Sequence, residues 1–291
     1  MAKTKVLVTG ATGNVGKAVI NALLKQQNKL AVFAGVRRPE DALRDPLLQC
    51  VQPVFFDFEK PESYTPALVN CDVLFLLRPP QLADVKKFIK PLVRSAVAKE
   101  VEHIVFLSVQ GAEDNRFIPH HKIEKLILNS GISYTFLRPA YFMQNFTTTL
   151  HDDLVKNSRI FLPAGKAKFT LIDVRDIGEV AAVILAATDR HVNKAYDLTS
   201  NEALNFKEMA EKLSDGLNEQ ITYVSPGLLQ FYREKRKENT PVGFILVMMM
   251  LHFLPRFQKQ PPLTDCVKML TGNDPITFEQ FVLDHRNQLL T

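Results

Sequence analysis

The residues whose types and spacing point most directly to chemistry form one run, Thr9-Gly10-Ala11-Thr12-Gly13-Asn14-Val15-Gly16-Lys17. It follows a short apolar strand pattern, Lys5 to Thr9, and opens a helical pattern with Val15, Ala18, Val19, Ala22 and Leu23 on one face. Three glycines alone say little; at a strand–turn–helix junction they describe a phosphate cradle. Gly10 permits the tight turn, Gly13 lets the backbone approach a pyrophosphate, and Gly16 lets the helix pack close to the strand. Thr12, Asn14 and Val15 lie at the helix start, where unpaired N–H groups face an anion. The chemistry implied is dinucleotide binding. At the end of the next strand, Leu30 to Val36, an NAD site carries a carboxylate for the ribose 2′-hydroxyl. Here the chain runs Val36-Arg37-Arg38-Pro39, with no carboxylate before Glu40. Two guanidiniums suit a 2′-phosphate through bidentate, charge-assisted hydrogen bonds, so NADP(H) is expected over NAD(H).

The elements that must position this loop follow from periodicity. After the first two strands come apolar runs at Val54 to Asp57, Asp72 to Leu77, His103 to Ser108 and Tyr134 to Leu137. Continuous apolar character is expected of parallel strands covered on both faces. Between them lie amphipathic helices. One carries Val85, Phe88, Ile89, Leu92, Val93, Ala96 and Val97, with Pro91 bending it or marking a broken start. Another carries Ile123, Leu126 and Ile127 and ends at Gly131. Strands separated by single helices predict an α/β protein, a Rossmann-type doubly wound parallel sheet. Farther on, Asp173 to Asp176 caps a helix and Ala195 to Leu198 reads as a strand. Asn205-x-x-Glu208 opens a helix with Phe206, Met209, Ala210, Leu213 and Leu217 inward, and Thr277-x-x-Gln280 is a capping box. The expected division is a cofactor domain over 1–140, with 168–200 returning to it. A smaller C-terminal α/β lobe over 141–167 and 201–291 serves the substrate or a partner.

Composition narrows the function classes. The chain has 291 residues, 46% hydrophobic and 23% charged, with a net charge of +5, ordinary for a soluble globular protein. Its densest basic cluster, Tyr232 to Glu238, is interleaved with glutamates and reads as a solvated helix face, so no nucleic-acid partner is expected. Cys50, Cys71 and Cys266 lie far apart, which fits a reducing compartment and argues against a disulfide framework or a metal site. The N-terminus runs straight into a strand, leaving no room for a signal peptide. The apolar run Val242 to Leu254 has 13 residues where a span needs about 20, so no membrane partner is expected and the run reads as a packed core helix. The expected location is cytoplasmic, as a monomer or homodimer.

The glycine loop has the spacing G-x-x-G-x-x-G and resembles that of the short-chain dehydrogenase/reductase superfamily, in its extended and atypical branches. His103 to Ser108, Ser133-Tyr134-Thr135-Phe136-Leu137-Arg138-Pro139 and Asp173-Val174-Arg175-Asp176-Ile177 sharpen the match to the NmrA-like group. That group includes quinone-reductase-type enzymes, dye reductases and redox-sensing regulators. The resemblance implies that Asp57 and Phe58 flank the adenine, that Leu77, Arg78 and Pro79 line the ribose and nicotinamide side, and that Pro139 also binds the cofactor. It places Ser108 at the superfamily's catalytic serine or its neighbour and Lys122 at the lysine that holds the nicotinamide ribose. Four residues before Lys122 stands Ile118, not the usual tyrosine. A poised acid is worth about 10²–10⁴-fold when an unactivated ketone becomes an alkoxide. Its loss counts against alcohol dehydrogenation and leaves hydride transfer to an electron-poor acceptor open. His120 and His121 are candidate substitutes, though they read as a solvated pair at a helix start; Tyr141 is a further candidate acid.

Phe142 and Phe146 follow the sixth strand at helical spacing and are expected to form an apolar wall for a small apolar or aromatic substrate. Met248, Met249 and Met250 could serve the same end. The expected function is NAD(P)H-dependent reduction of a small conjugated, quinone-like acceptor. Two alternatives stand beside it: a non-catalytic NAD(P) redox sensor, and a nucleotide-sugar epimerase-like enzyme.

Overall fold

The apolar runs become the middle of a parallel sheet in the computed structural model, which describes residues 3–26, 30–42 and 44–291. The strands in chain order are β1 (Thr4–Val8), β2 (Leu30–Val36), β3 (Gln52–Phe55), β4 (Val73–Leu76), β5 (His103–Leu107), β6 (Ser133–Pro139), β7 (Tyr141–Phe142), β8 (Arg159–Phe161), β9 (Lys168–Ile172), β10 (Lys194–Leu198), β11 (Ala203–Asn205) and β12 (Thr222–Val224). Seven of them pair in the order β10-β6-β5-β4-β1-β2-β3, every neighbour parallel. This is the Rossmann-type arrangement the spacing predicts. Strands β4 and β5 are buried at every residue, because helices cover both faces. The chain winds outward from β1 through β2 and β3, then returns to β4 on the other side of β1. That reversal opens a crevice at the carboxyl ends of β1 and β4. Register fixes the level: Val8 pairs with Ala34 on one side and Phe75 on the other.

The chain divides into two compact units. The first comprises Met1–Pro139, Val174–Leu198 and Asp265–Asp274, and holds the large sheet. Within it Pro91 does mark a broken start: a π-helical turn, Val85–Ile89, precedes the α-helix Lys90–Ala98, with Pro91 in its first turn. The second comprises Ala140–Asp173, Thr199–Thr264 and Pro275–Thr291. Two small sheets, β11-β9-β7 and β12-β8, line its core. Phe146, Phe206, Phe231, Phe278 and Phe281 fill that core with no exposed surface. Asn205 caps the helix Phe206–Leu217 with a complete capping box. At Thr277 only half of one forms: its hydroxyl accepts the Gln280 N–H, while the Gln280 amide turns to Asp284 instead. The apolar run folds as the helix Val242–Phe253, but it is not a core helix on all sides. Only Ile245, Met248 and His252 are buried. No helix among the described residues is long and apolar enough to cross a membrane.

Candidate functional site

At the end of β1 the chain turns on Gly10, held at φ +63°, a left-handed geometry that favours glycine. A Cβ on Gly16 would stand 2.2 Å from the Gly10 carbonyl oxygen and 2.8 Å from Ala11 Cα. Those are backbone atoms and cannot swing aside, so the helix Asn14–Lys25 seats on the loop only with glycine there. Gly13 is different. Its φ is −85°, and a Cβ there would touch only the Gly10 oxygen at 3.5 Å, an ordinary contact. The chain itself does not require glycine at this position; a pyrophosphate lying against the backbone does. Gly13 caps the helix with no side-chain acceptor, and the first turn carries no carboxylate. The orphan N–H groups and the positive end of the dipole are therefore available to an outside anion.

Two flanking strands complete the cradle. Thr9, fully buried, joins β1 to the segment after β4: its amide donates to Phe75 O at 3.0 Å and its hydroxyl accepts the Leu77 N–H at 2.8 Å. The Leu77 side chain then lies against the Gly10 turn. At the end of β2, Arg37 and Arg38 are exposed. The β1–β2 register pairs Val8 with Ala34, so β2 runs on past the end of β1 and both arginines follow its last residue, Val36. After β3, Asp57 is half-buried, its carboxylate accepting the Glu59 N–H. Phe58 faces inward: its ring packs edge-on against Phe56 at 4.9 Å and is buried, leaving only its backbone to meet an adenine.

Arg78 is drawn back onto its own loop. Its Nη1 donates to the carbonyls of Pro79, Pro80 and Leu82, and its Nη2 lies 3.5 Å from His120 Nε2. The buried Nε has no partner. His120 stacks over Phe106; burial first, then the Arg78 charge, pushes its pKa down to about 4. The imidazole is thus neutral at pH 7 and accepts from Arg78. His121 bonds the Ala112 carbonyl at 2.8 Å, its Nδ1 donating. Neither histidine is the simple solvated residue its position predicts.

The serine of the expected catalytic set is sealed in a network. Ser108 is buried and donates its hydroxyl to Glu124 Oε1 at 2.5 Å. Arg138 grips the same carboxylate in bidentate fashion, at 3.0 and 2.8 Å, and reaches Glu113 at 3.0 Å. Lys122, on the helix Pro119–Leu128, is exposed, and its ammonium has no partner among the described residues. The Pro139 carbonyl accepts the Gln110 N–H, which holds the loop after β5 to the end of β6. Thr9, Glu124 and Arg138 were not predicted as site residues. For Glu124 a signal existed: a carboxylate between Ile123 and Ile127 sits on the inward face of its helix.

In the second unit, Tyr141 packs among Phe169, Phe206 and His252, with its hydroxyl 3.2 Å from His252 Nε2. His252 Nδ1 lies 2.7 Å from the Met248 carbonyl, which only accepts, so Nδ1 carries the proton and Nε2 accepts from the tyrosine. Burial holds this imidazole neutral, with a pKa near 4, and pushes the Tyr141 phenol up. Phe142 is half-buried. Phe146 is wholly inside the core, against Phe206 and Phe278. The expected wall of Phe142 and Phe146 is therefore not built, because the core claims the second ring.

The first unit offers a dinucleotide cradle, and the candidate acids Ser108 and Tyr141 are each tied up in internal hydrogen bonds. Comparison with known proteins bears on the same point. Residues 2–254 match the profile described as "NmrA-like family". The chain is similar to prestalk A differentiation protein A of Dictyostelium discoideum, 28% identical over 289 residues, covering 96% of this chain and 91% of that protein. It is similar to the NAD(P)H azoreductase of Xenophilus azovorans, 28% identical over 286 residues, covering 96% and 97%. Among solved structures, the NADPH-dependent quinone oxidoreductase QOR2 of Escherichia coli, complexed with NADPH, shares the fold. Its TM-score is 0.83 at 22% identity, with coverage of 95% and 98%.

Proposed function

The chain belongs to the NmrA-like family, and on that premise we propose that it is an NAD(P)H-dependent oxidoreductase reducing a small conjugated, quinone-like acceptor. The observation that carries this reading is the loop itself. Glycine at position 13 meets no steric need of the chain, and it stands before a helix end with no side-chain cap. A reduced nicotinamide, when bound there, supplies the hydride. The names of the azoreductase and of the quinone oxidoreductase support the acceptor class, since both point to conjugated electron acceptors.

Arg37 and Arg38 would clamp a 2′-phosphate, which favours NADP(H) over NAD(H). Asp57 and the Phe58 backbone would border the adenine. Leu77, Arg78 and Pro79 would border the nicotinamide, Pro139 would also bind the cofactor, and Lys122 would hold the nicotinamide ribose with the ammonium that the chain leaves unpaired. Ile118 brings no proton, and the Ser108 hydroxyl is spent on Glu124. Tyr141 donates to His252 and is likewise not poised as an acid. An acceptor whose reduced form is a delocalised anion fits such a site, because water can protonate it after transfer. The shortage of a poised acid also counts against the epimerase-like reading, which needs reversible ketone formation.

That same shortage favours one second reading, a sensor that binds the dinucleotide without turnover. The test is NADPH consumption followed by absorbance, with and without a benzoquinone, beside the same assay with NADH. Quinone-dependent loss of NADPH, faster than of NADH, is expected. Intact NADPH binding with no loss for any quinone or dye would refute the enzyme and leave the sensor.

A further inference from the structure

The helix Val242–Phe253 contains no charged residue, yet the chain covers only one side of it. Ile245, Met248 and His252 point inward. Phe244, Leu246, Val247, Met250, Leu251 and the following Leu254 are all exposed, each by 44% or more. At 100° per residue these outward positions sweep an arc of about 160°, with no polar side chain inside it. A helix apolar all round is normally buried. Something outside the chain's own core must cover this one.

We propose that this face docks onto an anionic lipid surface, with the helix lying in the interface. Three observations select that occupant. The first is width: a partner helix covers a narrow seam, whereas immersion in the headgroup and acyl boundary accommodates a broad apolar face. The second is charge. Residues 228–263 hold six Lys and Arg against two Glu in a chain whose net charge is +5. Arg233, Arg236, Lys237, Arg256 and Lys259 are exposed on the segments that flank the helix in the chain, against Glu238 and a Glu234 that pairs with Lys237. The Arg256 guanidinium lies over the Phe253 ring at 5.0 Å, and the 74%-exposed Phe257 packs against that same ring at 5.4 Å. Such a rim complements anionic headgroups, while an isologous contact between two copies would bring like charges together. The third is length. Twelve residues extend about 18 Å, too short for a hydrocarbon core of about 30 Å. A run that cannot span can still lie in the surface. The proposal does not rest on the enzymatic reading, and its test needs no cofactor.

The full chain is sedimented with vesicles of phosphatidylcholine, and with vesicles in which half of that lipid is phosphatidylglycerol. Binding to the anionic vesicles alone, falling as salt rises, is expected. Leu246→Glu/Leu251→Glu should lower it at least tenfold while melting close to the parent. Arg233→Gln/Lys259→Gln should lower it about thirtyfold, at roughly one basic-residue contribution each. A parent chain that stays in the supernatant with anionic vesicles overturns the proposal, as does undiminished binding by the Leu246→Glu/Leu251→Glu variant. If the parent does not bind and scatters light at twice 32.9 kDa, with the leucine variant at the single mass, the face belongs to a second copy and the proposal also fails.

Discussion

Substituting Gly13 and Gly16 separately should divide one loop into two functions. A Cβ on Gly16 would sit 2.2 Å from a carbonyl oxygen that ordinary contact keeps beyond 3.4 Å, so helix and loop must part by about an ångström. Overpacking of this kind costs about 1–3 kcal/mol, and the helix-propensity gain of alanine returns at most about 1 kcal/mol. Gly16→Ala should therefore melt several degrees below the parent at about 2–4 °C per kcal/mol. Gly13→Ala meets only the 3.5 Å contact and keeps an allowed φ of −85°. Its cost is the poorer N-cap, at most about 1 kcal/mol. Binding should behave the other way. A methyl in front of the helix end displaces the pyrophosphate from at least two charge-assisted hydrogen bonds, each worth about 1.5 kcal/mol or more, so NADPH affinity should fall at least a hundredfold. Fluorescence titration gives Kd, and thermal melts with and without NADPH give stability and its linkage to binding. If Gly13→Ala binds NADPH within about threefold of the parent, the loop is not a phosphate cradle and the argument from Gly13 collapses.

Other outcomes follow from the same structure. Arg37→Ser/Arg38→Ser should raise Kd for NADPH at least tenfold and leave NADH nearly unchanged, read by the same titration. Arg138→Met should destabilise by about 3–5 kcal/mol in urea unfolding, because it leaves the buried Glu124 carboxylate without its guanidinium; Arg138→Met/Glu124→Leu should recover much of the loss. His103 and His252 are buried, with pKa values near 4 in the folded chain against 6.5 when unfolded. The unfolded chain takes up the protons first, so their stabilisation is complete above pH 6.5 and is lost as pH falls toward 4. The loss is about 3 kcal/mol for each histidine. Urea midpoints at pH 7 and pH 5 should show it, and His252→Gln should flatten the dependence.

The large sheet was legible because buried parallel strands are nearly continuous apolar runs, as in Val73–Leu76 and, after its first residue, His103–Leu107. In the second unit the helices after Asn205 and Thr277 were legible from their caps, and the sheets were not. Its strands are two to five residues long, too short for periodicity to register, and they pair with segments distant in the chain. The glycine loop was legible because its spacing is a backbone requirement. Side-chain commitments were hidden. Spacing cannot tell whether a serine faces a ligand or a buried glutamate, nor whether Phe146 lines a cleft or fills a core. The methionine helix misled for a related reason: an apolar residue looks the same in sequence whether its neighbours are the chain's own or another body's.

The way the chain passes between its two units bears on how it must be made. The first unit draws on three separate stretches and receives its last, Asp265–Asp274, only after most of the second has been laid down. Strand β6 cannot gain its outer neighbour β10 until residue 198 has been synthesised. On a ribosome, the first unit therefore waits with one sheet edge unpaired, open to wrong partners, while the intervening segment emerges. Helix Cys266–Thr271, which packs on Val174–Ala186, closes that half almost at the end. Cutting the gene at the apparent border near residue 140 would yield two fragments, each missing part of its own core.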